Sequence, residues 1–290
     1  MILVKLNGGL GNQMFQYAFA RALANKQNTE FRLDISGYEK QLAINTYREY
    51  ELQCFNILEK IAEPELLNQY KNSKTVLLRK ILNKLKLNFF SSSHILETAF
   101  TYDDSVWQKK EAYFDGYWQS YKYFSDIRAI LLREFTIKEP LDEANQTLLE
   151  SIKADNSVSI HIRRGDYVSN AKANITHGTC SLQYYLTAIE YLQKQFKEIK
   201  WFVFSDDIAW AKENLSLENA QFINHNQGKQ AYKDLYLMSN CAHNIIANSS
   251  FSWWGAWLNV NPEKIVIAPK AWFKVNKDTS DLIPSEWKRM

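Results

Sequence analysis

The chain has 290 residues, 46% of them apolar and 23% charged, with a formal net charge of +3. That length holds one large domain or two modest ones, and so mild a basic excess gives no argument for a nucleic-acid partner. Three cysteines without paired spacing, Cys54, Cys180 and Cys241, exclude a disulfide framework, and no apolar run reaches bilayer-spanning length.

Residues 2–6 form a short apolar run, 8–11 read Gly-Gly-Leu-Gly, 13–25 have the nearly all-apolar pattern of a buried helix, and 31–35 predict a second strand. This βαβ unit implies parallel strands. No acidic residue falls between Glu65 and Glu97, while Lys71, Lys74, Arg79, Lys80, Lys84 and Lys86 interleave with apolar positions. A basic amphipathic pattern over 71–90 fits either a solvated helix face or a peripheral membrane contact. A strand at 112–119, a helix at 124–135 and a polar crossing at 140–156 follow. From 157 onward, strands predicted at 158–162, 201–204, 221–223, 244–247 and 264–267 alternate with helices at 181–195, 208–214, 230–241 and 253–258. Such alternation predicts doubly wound parallel sheets, and the two α/β domains are set at 1–150, expected to be mainly the substrate-acceptor side, and 151–290, expected to be a Rossmann-type nucleotide-donor domain. With no signal peptide in view, a cytoplasmic protein is expected, with peripheral attachment to the inner membrane through 71–90 as the further reading.

Open α/β sheets bind ligands beyond the carboxyl ends of their strands. Four such ends carry polar or glycine-rich runs: 8–13, 163–166, 205–207 and 248–252. A glycine turn opening a helix offers backbone N–H groups and a positive dipole end to a phosphate, which makes Gly9, Gly11, Asn12 and Gln13 donor-side candidates. Met14 stands where a dinucleotide fingerprint has its third glycine, which counts against a nicotinamide-dependent oxidoreductase, the rival enzyme class. Arg163 and Arg164 cannot both enter a core. One can hold a diphosphate while the other pairs with a carboxylate such as Asp166, and His161 shares the strand face of Arg163. The sequence has no Asp-x-Asp and no zinc-like spacing, so a metal-free site neutralised by arginine and backbone N–H groups is expected. Ser249 and Ser250 at a helix start suggest a second phosphate cap, and Trp253, Trp254 and Trp257 at helical spacing read as core. Asp234 fits either a guanine-binding carboxylate or an exposed helix residue.

The runs Gly-Gly-Leu-Gly-Asn-Gln-Met-Phe-Gln-Tyr at 8–17, His-Ile-Arg-Arg-Gly-Asp-Tyr-Val at 161–168, Phe-Ser-Asp-Asp at 204–207 and Ser-Ser-Phe-Ser-Trp-Trp-Gly at 249–255 resemble the bacterial α-1,2-fucosyltransferases of glycosyltransferase family 11. The His-x-Arg-Arg element is shared with fucosyltransferases of other linkages, which stand as the alternative. The resemblance implies a GT-B-like fold, with two Rossmann-type doubly wound domains facing a central cleft. It implies inverting, metal-independent transfer of L-fucose from GDP-β-L-fucose to the 2-hydroxyl of a terminal β-galactoside, free or lipid-linked, in a surface glycan such as O-antigen. Arg163 would stabilise the leaving β-phosphate, His161 would lie along the nucleotide, and Asn12 would contact the diphosphate or fucose. Ser250 and Phe251 would hold phosphate and nucleotide, Asp234 would take guanine, and Arg164, Ser205 and Ser249 complete the donor side. Candidate bases are Asp166, Asp115 and Asp34, in that order. Tyr117 and Trp118 either stack on the acceptor sugar or pack in the core.

Overall fold

The computed structural model describes residues 1–39, 48–71, 94–154, 156–165, 168, 171–176 and 178–290. The segment 72–93, which holds most of the basic pattern, lies outside them, as does Asp166. The chain divides into two compact units: Met1–Gln53, Ile57–Glu134 and Ser280–Leu282 form the first, and Cys54–Asn56, Phe135–Thr279 and Ile283–Met290 the second. The passage between units comes after Glu134, earlier than the 150 drawn from the sequence. The stretch read as a polar crossing contains helix Glu143–Ala154, which buries Leu148, Leu149 and Ile152. The Asp142 carboxylate accepts from the Asn145 backbone N–H at 3.0 Å and starts this helix.

In the first unit, β1 (Ile2–Lys5), β2 (Phe31–Asp34), β3 (His94–Leu96) and β4 (Ala112–Asp115) form a parallel sheet in the order β2-β1-β4-β3. Helix Leu10–Gln27 links β1 to β2 and is buried at Met14, Phe15, Tyr17, Ala18 and Phe19, as its apolar run predicts. It ends at Asn28, in the left-handed region at φ 48°. The strand expected to reach 119 stops at Asp115. Gly116 lies so close to Glu97 that an added Cβ would stand 2.4 Å from the Glu97 Cβ, and Trp118 takes φ 54°.

Among the described residues the second unit has six parallel strands: β5 (Ser157–Ile162), β6 (Lys200–Ser205), β7 (Ala220–Ile223), β8 (His243–Ile245), β9 (Val266–Ala268) and β10 (Lys288–Arg289). Their order is β10-β9-β8-β5-β6-β7. The chain starts in the centre at β5, builds outward through β6 and β7, then returns to lay β8, β9 and β10 on the other flank. The winding reverses between β5 and β8, so the loops leaving those strands part there, which is where open α/β sheets bind ligands. All six positions of β5 are buried, as a central parallel strand requires. Its Val158, Ile160 and Ile162 share a core with Tyr185, Ala188 and Leu192 of helix Leu182–Gln193 and with Trp201 and Val203 of β6. Trp253, Trp254 and Trp257 are core residues, Trp253 against Trp287 and Trp254 against Phe135.

Candidate active site

The second unit gathers its candidates around the switch point. Arg163 and Arg164 follow the last residue of β5, and the acid pair after β6 holds both. Asp206 Oδ2 lies 2.9 Å from Arg163 Nη1, and Asp206 Oδ1 accepts from the Arg164 backbone N–H at 2.8 Å. Asp207 Oδ2 takes Arg164 Nε at 3.1 Å, with the Arg164 guanidinium 4.3 Å above the Trp210 ring. Asp207 Oδ1 also caps helix Ile208–Asn214 through the Trp210 N–H. The two adjacent acids therefore diverge, one to each arginine. Gly165 makes room for this: an added Cβ would stand 2.8 Å from Asp206 Oδ2. Carboxylates some forty positions away thus hold both arginines; Asp166, the partner named from the sequence, lies outside the described residues. Both guanidinium side chains keep about a quarter of their surface exposed, 26% and 22%, so each is anchored at one edge and accessible at another.

His161 is buried one residue before the end of β5, and its Nδ1 has no partner among the described residues. Burial, aided by the positive charge of Arg163 and opposed by Asp206, pulls its pKa down to about 4, so the ring is neutral at pH 7. Its centroid lies 5.7 Å from that of Phe251, in the first turn of helix Ser250–Leu258, which brings together the two sides of the switch point. Asn248 fixes the loop after β8 by donating to the carbonyls of Gly178 and Trp272 at 3.1 and 3.2 Å. The Ser249 hydroxyl accepts from the Phe251 N–H at 3.3 Å. It caps its own helix, where a phosphate ligand was expected. Ser205 is likewise a turn residue, its hydroxyl accepting from the Asp207 N–H at 2.9 Å. Ser250 opens the helix, half-buried.

Asp234 lies in the first turn of helix Ala231–Asn240 and is half-buried, which removes the reading of an exposed helix carboxylate. Desolvation raises its carboxyl to about 7, against a lowering hydrogen bond from Asn226 Nδ2 at 2.7 Å. Asn226 and the fully buried Asn145 exchange amide hydrogen bonds at 2.7 and 2.9 Å. Asn145 in turn binds Asp142, which pairs with Lys233 at 2.6 Å. Sequence reasoning missed both asparagines; the one local signal was the Asp142-x-x-Asn145 spacing of a helix cap.

The first unit has its own switch point, between β1 and β4. Gly8 takes φ +77°, a conformation that suits glycine, and its carbonyl accepts from Tyr38 Oη and Gln13 Nε2. Gln13 is fully buried and also bridges to the Glu49 carbonyl and the Glu51 N–H. Its assignment to the donor is therefore corrected: it braces the loop. Gly9 caps helix Leu10–Gln27, Gly11 is buried within it, and Arg48 packs over Gly9. Asn12 Oδ1 accepts from Gln119 Nε2 at 2.7 Å, which ties the glycine loop to the loop after β4.

At the end of β4, just before that loop, Asp115 faces Lys5 at 3.0 Å, with His94 at 3.9 Å. His94 and Lys5 together hold its carboxyl below the usual range, which weakens it as a base. Asp34 is fully buried, taking the Tyr113 hydroxyl on one oxygen and the Ser36 N–H on the other; it is a structural residue and leaves the list of bases. Tyr117 is 40% exposed at the strand end. Trp118 is 2% exposed and stacks on Phe19 at 4.4 Å, so its face is not a sugar shelf. Glu97, not singled out from the sequence, takes the backbone N–H groups of Tyr117 and Trp118 at 2.6 and 2.9 Å.

Two parallel sheets with prepared loops at their switch points are shared by many enzymes, and comparison with known proteins narrows the choice. The family model described as Glycosyl transferase family 11 matches residues 1–289. The chain belongs to this family. The glycosyltransferase is 36% identical to the alpha-1,2-colitosyltransferase of Escherichia coli, over 100% of this chain and 99% of that one. It is 35% identical to the O-antigen biosynthesis glycosyltransferase WbnK of Escherichia coli, over 97% and 98%. With galactoside alpha-(1,2)-fucosyltransferase 2 of Bos taurus it shares 30% identity, over 49% of this chain and 44% of the relative. Among solved structures it shares the GT-B-like fold with a mutant of Arabidopsis thaliana FUT1 in complex with GDP, at TM-score 0.53 and 11% identity over 91% and 69% of the two chains. The Bradyrhizobium fucosyltransferase NodZ has the same fold, at TM-score 0.50 and 14% identity over 88% and 91%. Among the described residues no helix is long and apolar enough to cross a membrane.

Proposed function

We propose that this glycosyltransferase moves L-fucose from GDP-β-L-fucose to the 2-hydroxyl of a terminal β-galactoside, with inversion and without a metal, in O-antigen or a similar surface glycan. The observation that carries the proposal is Arg163, anchored by Asp206 at the switch-point end of β5 with part of its guanidinium accessible. In a single displacement the acceptor oxygen bonds to the anomeric carbon as the bond to the β-phosphate breaks. Negative charge grows on the departing GDP, and a guanidinium fixed beforehand stabilises that charge without reorganising. Arg164, stacked and paired, adds a second positive charge beside it. Asp234 accepts from the guanine edge, and Phe251 and His161 flank the nucleotide. Asp166, two residues after Arg164, is the proposed base; Asp115 is the weaker alternative. The names of the Escherichia coli relatives support a surface-glycan role. Such a role suits a cytoplasmic enzyme working at the inner membrane on a lipid-linked acceptor.

A colitosyl donor is the second reading, because the relative that carries that name matches the whole chain. The deciding assay supplies GDP-fucose and GDP-colitose to a panel of β-galactosides, with linkage analysis of the product by NMR. Higher kcat/KM with GDP-fucose and a product substituted at O2 is the expected result. Preference for GDP-colitose establishes the second reading, and a different linkage overturns the acceptor position. Release of GDP from neither donor overturns both.

A further inference from the structure

Asp234 stands at the inner end of a relay of side chains that begins at the surface of the second unit. Asp142 is exposed and pairs with Lys233 at 2.6 Å. An ionised carboxylate only accepts, so it turns the amide NH2 of the buried Asn145 toward itself, at 3.0 and 2.9 Å. Asn145 Oδ1 then faces Asn226 and accepts from its Nδ2 at 2.7 Å, and Asn226 Oδ1 takes the Asn145 amide in return at 2.9 Å. His225 Nε2 lies 3.0 Å from the same Asn145 oxygen and carries a proton there, because a carbonyl oxygen only accepts. These contacts fix which way the Asn226 carboxamide points. Its NH2 also donates to Asp234 Oδ1 at 2.7 Å.

We infer that Asn226 is a positioning residue for the donor: it presents Asp234 as a hydrogen-bond acceptor and so sets the preference for a base whose edge donates. This inference rests on the proposed contact between Asp234 and guanine.

The geometry leaves Asp234 half committed. Oδ1 is pinned by Asn226, while Oδ2 makes no hydrogen bond among the described residues. An ionised carboxylate has about four lone-pair sites. Asn226 occupies one, and the others can accept from N1–H and N2–H2 of guanine. Adenine has an acceptor at N1, which only a protonated carboxyl can meet. Asn226 works against that form. Burial raises the Asp234 carboxyl to about 7, and the amide donor opposes it by stabilising the charge. Turned the other way, the carboxamide would set its oxygen against Asp234 and favour the protonated form; Asp142, acting through Asn145, prevents the turn.

Asn226 is 7% exposed in the connection from β7 to helix Ala231–Asn240, so the contact also ties that loop to the first turn of the helix. Besides Asp234 the relay holds the ionisable groups Asp142, Lys233 and His225, the first two paired with each other. Helix Ser250–Leu258, packed against Ala231–Asn240, has none, and Lys229, Glu143, Glu150 and Lys153 on the other flanking elements are exposed.

The test measures GDP and ADP affinity by calorimetry on the full chain, from about pH 5.5 to 8.5, across the window in which Asp234 titrates. Asn226→Ala is expected to weaken GDP binding at pH 7 at least about fivefold, to move the midpoint of the pH profile upward, and to narrow the preference for GDP over ADP. In an Asp234→Asn background the same change should cost less than about twofold, because no carboxylate is left to present. Asn226→Asp, equal in shape, should move the midpoint further up, since two neighbouring carboxylates share a proton; it decides the matter if the alanine variant does not fold. Equal losses in both backgrounds with an unmoved midpoint make Asn226 a packing residue and overturn the inference. So does unchanged GDP affinity in both Asn226 variants while Asp234→Asn loses it, an outcome that leaves the guanine contact standing. Unchanged GDP affinity in Asp234→Asn overturns the guanine contact itself and the inference with it.

Discussion

Arg163 and Arg164 are neighbours in sequence with separate tasks, because successive residues leaving a strand end point apart and each meets its own aspartate. Arg163→Ala is expected to lower kcat by about 10²–10³, the usual loss when a preorganised charge is removed from the transition state. Lysine at this position recovers little, since a point charge cannot grip Asp206 and a phosphate with separate edges of one group; near-normal turnover of Arg163→Ala in steady-state assays removes the residue from the mechanism. Asp234 gives the second expectation at this scale. Its carboxyl titrates at about 7 in the free protein, because burial disfavours the charge. Guanine donates N–H groups to it and so favours the ionised form, which lowers the pKa on binding. Below pH 7, binding must then release a proton. GDP affinity therefore rises from pH 5.5 to about 7 and levels off above, and Asp234→Asn flattens the profile and relaxes the preference for guanine over adenine. Calorimetry in buffers of different ionisation enthalpy measures both affinity and proton release; a pH-independent affinity in the wild type excludes the assignment.

Elements differ in how much of them the sequence reveals. The long apolar runs of β1, β5 and β6 and of helix Leu10–Gln27 are buried on nearly every side, so composition alone marks them. β3 and β10 are two or three residues at sheet edges, with no repeat long enough to read. Helix Glu143–Ala154 buries one narrow stripe under a polar surface and passes for a crossing. Site residues follow the same logic. The arginines are legible because two charges at a strand end must face outward. Their holders Asp206 and Asp207, like the grip of Glu97 on the Trp118 backbone, arise from contacts between distant positions. Tyr113 reaches across from β4 to cover Asp34, and a left-handed residue turns Trp118 inward; no local pattern announces either. The turn between β5 and its arginines gives a prediction of its own. Gly165→Ala places a methyl group against the Asp206 carboxylate, which must move and release its hold on both arginines. Turnover is expected to fall about tenfold while the thermal unfolding midpoint changes little, because the turn is not part of the core. A large drop in the midpoint with normal kcat reverses that reading.

At the scale of the molecule, each unit carries a parallel sheet with a reversal of winding, and the two reversals are furnished differently. The second unit offers positive charge and a desolvated carboxylate, and the first offers a glycine loop, a salt-bridged aspartate and an acidic, aromatic cleft. The division of charge bears on the metal. A departing nucleoside diphosphate needs counter-charge, which comes either from a divalent cation or from the protein. Here two guanidinium groups stand at the end of β5, and helix Ser250–Leu258, capped by Ser249, directs the positive end of its dipole to the same loop cluster. Chelation leaves all three in place. Turnover in excess EDTA is therefore expected to match turnover in magnesium within about twofold. Rising ionic strength should instead raise the KM for the donor, since both arginines are partly exposed and screened by salt. Complete loss of activity in EDTA, restored by magnesium or manganese, gives the counter-charge to a cation and leaves Arg163 a binding role only.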